Sequence, residues 1–293
     1  MTETGNHLFC FGLGYSAGFL VARLKPKGWR ISGTATTPDG AARLDARGYR
    51  GLVFDGTTGS DQILEALGAA THILLSIPPG PSGDPAYRWF ASKIANSKSM
   101  SWIGYFSTIG VYGDAQGGWV DETTPPRPGS ERGQRRLDAE VAWQTLGREA
   151  NKRVMIFRLP GIYGPGRSTL DDLRAGTARR LIKQGQVFNR IHVEDIAQGV
   201  EAAMAPEVKA GVYNLIDDEP VPPQDVVAYG AQLLRLPCPP DIAFSTATLS
   251  PMAQSFYSES KRVSNARMKA QLGVTLTYPT YREGLAAILR QGA

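Results

Sequence analysis

Cysteine and histidine are scarce in this chain. Cys10 and Cys238 are its two cysteines, far apart and outside any CxxC, and His7, His72 and His192 do not cluster. That count and spacing speak against a disulfide framework and against a zinc site, which need paired thiols or a local set of ligands. Long apolar runs are also missing. No stretch approaches the roughly 18 residues of a membrane helix, and the opening MTETGNHLFCFGLG has no basic region ahead of an apolar run. A cytoplasmic location with no membrane partner is expected. Positive charge is present but dilute. The net charge of +5 comes from Lys and Arg scattered along the chain, densest in the two RRL triplets at 135 and 179, without the concentrated patch that nucleic-acid binding uses. Repeats and low-complexity tracts are absent as well.

What is present reads as an ordinary soluble protein with 42% hydrophobic and 20% charged residues. Its 293 residues can bury a full core. Short apolar runs, HLFCFG, WRISGTA, GLVFD, HILLSIP, SWIGYFS, RVMIFRLP and GVYNLI, alternate with helical patterns such as ILEALGAA and RRLDAEVAWQTLG. Strands that alternate with helices pair in parallel, because each parallel connection needs a crossover. The fold class expected is α/β, a doubly wound parallel sheet with a small, mostly helical C-terminal lobe. After residue 164 the punctuation changes: YGPGRST breaks the last βα unit, FNRIHVEDIAQGV brings the chain back, and from about 217 Pro-rich segments separate helices. The expected domains are 1–165 with 186–216, and 166–185 with 217–293.

LFCFGLGYSAGFLVARL places Gly12, Gly14 and Ala17 in the spacing GxGxxA, after a strand and at a helix start. Side chains at the early glycines would obstruct a tight turn and the approach of a pyrophosphate, an anion that the helix N-terminus favours. The pattern predicts a Rossmann-type dinucleotide site, with Tyr15 and Ser16 opening the helix. An acid ending the second strand would select NAD through the ribose hydroxyls. This strand ends instead in Thr34, Thr36 and Thr37, and the first acid, Asp39, is expected as a helix N-cap. Hydroxyls tolerate a 2′-phosphate, so NADP is favoured over NAD, with Arg43 one turn into the helix as a candidate partner. Asp55 is placed either to accept from the adenine amine or to form a plain turn before Gly56. Ser76 and Pro78, in SIPPG after the fourth strand, wall the cofactor or form a rigid turn.

The order YFSTIGVYGD, GSERGQRRLDAE, RLPGIYGPGR, RIHVEDIAQGV and VYNLIDDEP resembles the extended short-chain dehydrogenase/reductase family, the NAD-dependent epimerases and dehydratases, over nearly the whole chain. The resemblance implies an NAD or NADP cofactor and a nucleotide-sugar or related carbonyl substrate. It places the catalytic hydroxyl on Thr108, with Ser107 and the residue at 136 beside the cofactor. The family's YxxxK pair is missing. Arg132 stands at the tyrosine position and Arg136 at the lysine position, as in an atypical branch that keeps KRVSNARMKAQLG near the C-terminus but lacks the tyrosine.

Chemically that exchange matters. A catalytic tyrosine works when its pKa falls from about 10 toward neutrality, so that it gives and recovers a proton. A guanidinium offers donors but no exchangeable proton. Arg136 is able to bind a ribose as the lysine does, whereas Arg132 is no substitute for the tyrosine. The same helix also reads as a solvated one, because Glu131 with Arg135 and Arg136 with Glu140 are i,i+4 pairs. Tyr257 with Lys261, Tyr112, Tyr163 and His192 are the other candidate proton sources. Two functions follow: an NAD(P)-dependent oxidoreductase or epimerase with an altered active site, or an inactive NAD(P)-binding sensor or scaffold. The resemblance also implies a homodimer through helices around 85–97 and 131–149, where Trp143 lies off the Leu137/Val141 stripe.

Overall fold

The structure is a computed structural model and describes residues 5–292. Strands β1 (His7–Phe11), β2 (Arg30–Ala35), β3 (Arg50–Val53), β4 (His72–Leu75) and β5 (Trp102–Thr108) alternate with helices α1 (Tyr15–Leu24), α2 (Pro38–Ala46), α3 (Asp61–Ala69) and α4 (Pro85–Asn96). The chain continues through β6 (Trp119–Val120), α5 (Glu131–Glu149), β7 (Arg153–Leu159), β8 (Gly161–Tyr163), α6 (Thr169–Arg174), β9 (Arg180–Ile182) and β10 (Arg190–His192). It ends with α7 (Val193–Ala203), β11 (Gly211–Asn214), α8 (Pro223–Leu234), β12 (Asp241–Ala243), α9 (Pro251–Tyr257), β13 (Arg262–Val263), α10 (Ala266–Leu272) and α11 (Tyr281–Gln291).

Seven strands form one sheet in the order β3-β2-β1-β4-β5-β7-β11. β1 pairs in parallel with β2 and β4, and the pairs β2–β3 and β4–β5 are parallel too. Every residue of β1 is buried, as expected of a central parallel strand covered by helices on both faces. The order reverses between β1 and β4, and doubly wound sheets bind ligands beyond the carboxyl ends of the strands at such a switch point. Gly12 follows β1 there, and Ser76 follows β4.

The chain forms two compact units. The first comprises the residues up to Thr108 with Glu131–Arg158 and Ala197–Tyr213; the second comprises Ile109–Ser130, Leu159–Ile196 and the residues from Asn214 onward. Segments 109–130, 159–165, 186–196 and 214–216 group with the second unit, where the sequence pattern joins them to the first. Inside the first unit Phe11, Phe54 and Phe90 meet at centroid separations of 5.8, 5.3 and 5.4 Å. The second unit holds the parallel pairs β8–β10, β9–β12 and β6–β13 and a core that includes Tyr163, Leu170, Val226, Tyr281 and Leu285.

Helix α5 is placed by a face that differs from its expected apolar stripe. Val141 is 53% exposed, while Ala139, Glu140, Trp143, Leu146 and Gly147 are buried. The Trp143 indole donates to Asp84 Oδ2 at 3.2 Å and meets the Tyr87 ring edge-on at 5.1 Å. Gly147 permits close approach to β7, since a Cβ there would lie 2.4 Å from Val154. Glu140 turns inward. Arg158 on β7 donates to it through Nε at 3.2 Å and Nη2 at 2.7 Å, and the Ser107 hydroxyl of β5 donates to the same carboxylate. The side chains of Arg158 and Glu140 are only 5% and 2% exposed.

Two charges taken out of water depend on each other, because removing one leaves the other uncompensated. Arg158→Met should therefore cost about 3–5 kcal/mol in urea unfolding. The double variant with Glu140→Leu should recover most of that loss. A double variant as unstable as the single one would show that the network is not what holds α5 to β5 and β7.

Candidate functional site

The turn after β1 is held from three sides. Gly12 has φ +81°, and a Cβ on it would meet Ile77 Cγ2 at 2.7 Å, so both the backbone angle and the neighbouring loop require glycine. Its N–H donates to the buried Thr34 hydroxyl at 2.8 Å, and Leu13 N–H donates to the Thr34 carbonyl at 2.9 Å. Ser76 N–H donates to Phe11 O at 2.9 Å and ties the loop after β4 to the end of β1. Gly14 is different: it is the N-cap of α1, no side chain caps that helix, and a Cβ on Gly14 would meet nothing within 4 Å. The fold has no steric need for glycine at 14. An open, uncapped helix N-terminus is the arrangement that receives an anion.

The threonines divide their work. Thr34 faces inward to Gly12, Thr36 is exposed, and Thr37 is the N-cap of α2, its hydroxyl accepting from Gly40 N–H at 3.1 Å. Asp39, expected as the cap, lies in the first helical turn instead, because Pro38 takes the first helical position and leaves the extended residue before it to cap. Asp55 Oδ1 accepts from Thr57 N–H at 2.9 Å and from its hydroxyl at 2.7 Å. The hydrogen bond from the Thr57 hydroxyl holds that exposed carboxyl below its ordinary range. Pro78 is exposed and Ser76 half-buried, and beyond them Gly80 and Gly83 exchange hydrogen bonds of 3.0 Å in a tight turn. Between α1 and α2 lies a groove of about 600 Å³ lined by Gly14, Tyr15, Gly18, Ala35, Arg43 and Arg47 among others. The spacing of the glycines does not foretell it.

Across the sheet, Thr108 is the last residue of β5 and is half-buried. Arg132 and Arg136 lie one turn apart near the start of α5. Arg132 is exposed. Arg136 is half-buried, donates through Nη1 to Phe106 O and sits over the Tyr105 ring at 5.7 Å. Glu131 pairs with Arg135, as the i,i+4 spacing predicts. The Arg136–Glu140 pair does not form, because Glu140 is committed to Arg158 and Ser107. Ser107, expected beside the cofactor, therefore has its hydroxyl engaged with Glu140 while buried. Thr34, read with Thr36 and Thr37 as a strand-end hydroxyl, accepts from Gly12 N–H instead, and Glu140, read as a surface partner of Arg136, is buried against Arg158 and Ser107.

The alternative proton sources all lie in the second unit. Tyr112 donates to Asn214 Oδ1 at 2.9 Å, and Tyr163 donates to Thr280 O at 3.2 Å, with burial pushing its phenol up. His192 is 1% exposed, lies between the Tyr163 and Tyr278 rings at 5.2 and 4.0 Å, and accepts from Glu194 N–H at Nδ1. Burial pulls its imidazole down to about 4, so it is neutral at pH 7. Tyr257 ends α9, whereas Lys261 lies beyond that helix and pairs with Glu259 at 2.5 Å. The tyrosine and lysine of YSESK therefore do not share a helical face. Among the described residues no His, Cys, Asp and Glu side chains gather as a metal site, and no helix is long and apolar enough to cross a membrane.

The two glycines should respond differently to substitution. Gly12→Ala forces a left-handed angle on a residue with a Cβ and should cost about 1–3 kcal/mol by urea unfolding. Gly14→Val should stay within about 1 kcal/mol of the parent protein, the scale of an N-cap change. Equal losses at both positions would mean that the fold itself needs glycine at 14.

No family model matches the chain. The protein YeeZ of Escherichia coli K12 is 30% identical over 283 residues, 92% of this chain and 94% of YeeZ. A functionally unknown conserved protein from Silicibacter pomeroyi DSS superimposes with a TM-score of 0.88 at 48% identity, over 98% of this chain and 99% of that one. The dTDP-glucose 4,6-dehydratase of Bacillus anthracis str. Ames, solved in complex with NAD, has a TM-score of 0.78 at 16% identity over 98% and 96% of the two chains. The chain belongs to the family of YeeZ, built on the fold of the NAD-dependent epimerases and dehydratases of the extended short-chain dehydrogenase/reductase type.

Proposed function

We propose that the protein binds a nicotinamide dinucleotide at the β1–α1 turn, with NADP favoured over NAD, and acts as an oxidoreductase or epimerase on a nucleotide sugar or related carbonyl compound through an altered site. The observation that carries the reading is the open N-terminus of α1: Gly12 is demanded by the fold, while Gly14 leaves space that the fold does not use. The residues present fit such a cofactor. The first turn of α1 is uncapped toward a pyrophosphate, exposed Thr36 follows β2 without a carboxylate, and Asp55 Oδ1 is spent on its own turn. The bound nicotinamide would supply or accept a hydride. The substrate class rests on the likeness in fold to the dTDP-glucose dehydratase and on the motif order.

In this reading Thr108 orients the substrate oxygen. Arg136 keeps donors beyond the one given to Phe106 O, since a guanidinium carries five N–H bonds, and these serve the nicotinamide ribose. Arg132, exposed one turn earlier, binds but does not exchange a proton. That placement favours a second reading, an NAD(P)-binding sensor or scaffold without turnover. A homodimer through α4 and α5 belongs to the same proposal and is supported by Val141 and Trp89, which are 53% and 41% exposed on those helices.

Rebuilding the missing pair separates the two readings. An acid/base group contributes about 10² to 10⁴ in rate, so Arg132→Tyr with Arg136→Lys should raise hydride transfer to a small carbonyl substrate by at least tenfold, followed by nicotinamide absorbance. If the parent protein is already fast and Arg132→Ala leaves its rate unchanged, the site is not disabled and the proton comes from another group. If parent and rebuilt protein both bind dinucleotide yet turn over none of a broad nucleotide-sugar panel, the sensor reading stands.

A further inference from the structure

The core of the second unit encloses a cavity. Helices α6, α8 and α11 meet there with β8 and β10, and a space of about 150 Å³ lies among them. Loose fitting does not account for it. A Cβ on Gly230 of α8 would lie 2.8 Å from Thr169 and 2.9 Å from Leu173 of α6, and one on Gly284 of α11 would strike the Tyr163 phenol. At these two crossings the elements are as close as glycine permits. Protein interiors packed this tightly rarely keep a void larger than a water molecule.

The lining divides by chemistry. Pro223, Val226 and Leu285 give apolar surface, while Arg190, Tyr281, Thr169 and Tyr163 bring polar groups. Arg190, half-buried on β10, donates through Nη1 to Phe188 O at 3.1 Å and forms no ion pair among the described residues. The acid that acts on it most strongly is Asp217, which is 2% exposed and has its Oδ2 without a hydrogen-bond partner. Asp217 is tied to β10 by its own N–H, donated to Arg190 O at 2.8 Å. Burial pushes its carboxyl well above the ordinary range, so it is a poor counter-ion. Tyr281 is 2% exposed, and neither its hydroxyl nor that of Thr169 has a hydrogen bond among the described residues. Tyr163 gives its proton to Thr280 O. Polar groups in a core cost free energy unless a partner satisfies them. A guanidinium with two uncommitted hydroxyls calls for an acceptor that carries negative charge.

We infer that this cavity binds a small monocarboxylate, with Arg190, Tyr281 and Thr169 holding the carboxylate and Pro223, Val226 and Leu285 covering a short aliphatic tail. A guanidinium matches a carboxylate through two parallel N–H donors. Small-molecule sites in general combine a mostly apolar wall with a few placed polar groups. Volume sets the length of the ligand: a cavity of about 150 Å³ accepts a benzene-sized molecule, and butyrate is of that size. The lining residues all belong to the second unit, whereas Gly12 and Gly14 belong to the first. The site therefore goes beyond the dinucleotide reading and does not need it.

The test is thermal unfolding of the nucleotide-free protein with sodium butyrate, its neutral isostere butyramide and sodium octanoate, each against sodium chloride at equal ionic strength. Saturating butyrate should raise the melting temperature by about 2–4 °C. Butyramide lacks the charge and octanoate is too long, so neither should raise it. Arg190→Leu should abolish the butyrate shift, and Tyr281→Phe should weaken butyrate binding about three- to tenfold, the loss of one hydrogen bond. Should Arg190→Leu fail to fold, Tyr281→Phe keeps the guanidinium and carries the comparison, together with a crystal of the parent soaked in butyrate. Butyrate in the cavity with its carboxylate on Arg190 is the expected result. Butyrate bound elsewhere, a shift of equal size with butyramide or octanoate, or a shift that survives in Arg190→Leu would overturn the assignment. No shift at high millimolar butyrate would overturn it too and leave the cavity to water.

Discussion

The contact of Gly12 with the loop after β4 is the constraint on which the rest of the site depends. At the switch point of the sheet the chain leaves β1, turns through a left-handed residue and enters α1 within three residues, while Ile77 of the loop after β4 closes the space where a Cβ on Gly12 would lie. Only a residue without a Cβ satisfies both the angle and the space. Thr34 from β2 then fixes the turn by accepting the Gly12 N–H. Three adjacent strands therefore determine where the N-terminus of α1 points. The opening at Gly14 is a consequence of this bracing and not an ornament added to it.

Helix α5 is fixed by a buried charge network as well as by the apolar contacts of Ala139, Trp143 and Leu146. Glu140 gathers Arg158 from β7 and Ser107 from β5 into one desolvated cluster. Burying such charges costs several kcal/mol per ion before their attraction is counted, so the arrangement defines register more than it adds stability. It has a direct effect on the altered pair. With Glu140 turned inward, Arg136 has no i,i+4 carboxylate to claim it and extends instead over Tyr105 to the carbonyl of Phe106. Arg132, one turn closer to the start of the helix, stays in solvent. Both guanidiniums offer N–H donors and no exchangeable proton.

The sheet and the glycine turn were legible in the sequence because their signals are local. HLFCF and SWIGYFS are continuous apolar runs of strand length, and the GxGxxA spacing follows the first of them without interruption. What escaped depends on contacts between distant residues. Thr34 and Gly12 are 22 residues apart, and Glu140 and Arg158 are 18 apart. In each case a polar residue in the core looks, from sequence alone, like a surface residue. Trp143 does lie off the Leu137/Val141 stripe, and the buried face of α5 is the one it shares with Gly, Ala and Glu, which Leu137 and Val141 do not reveal. The cap of α2 moved from Asp39 to Thr37 because Pro38 sets the first helical position. The groove between α1 and α2 arises from small residues on both helices, which no motif records.

The central claim is that the space above Gly14 exists for a ligand. Calorimetric titration of NADPH and NADH into the parent protein and into folded Gly14→Val tests it most directly. The account predicts one saturable site per chain in the parent and no measurable heat of binding in Gly14→Val, since its side chain occupies the place of the pyrophosphate. Binding of equal affinity in Gly14→Val, or no binding to the parent at millimolar nucleotide, would contradict it.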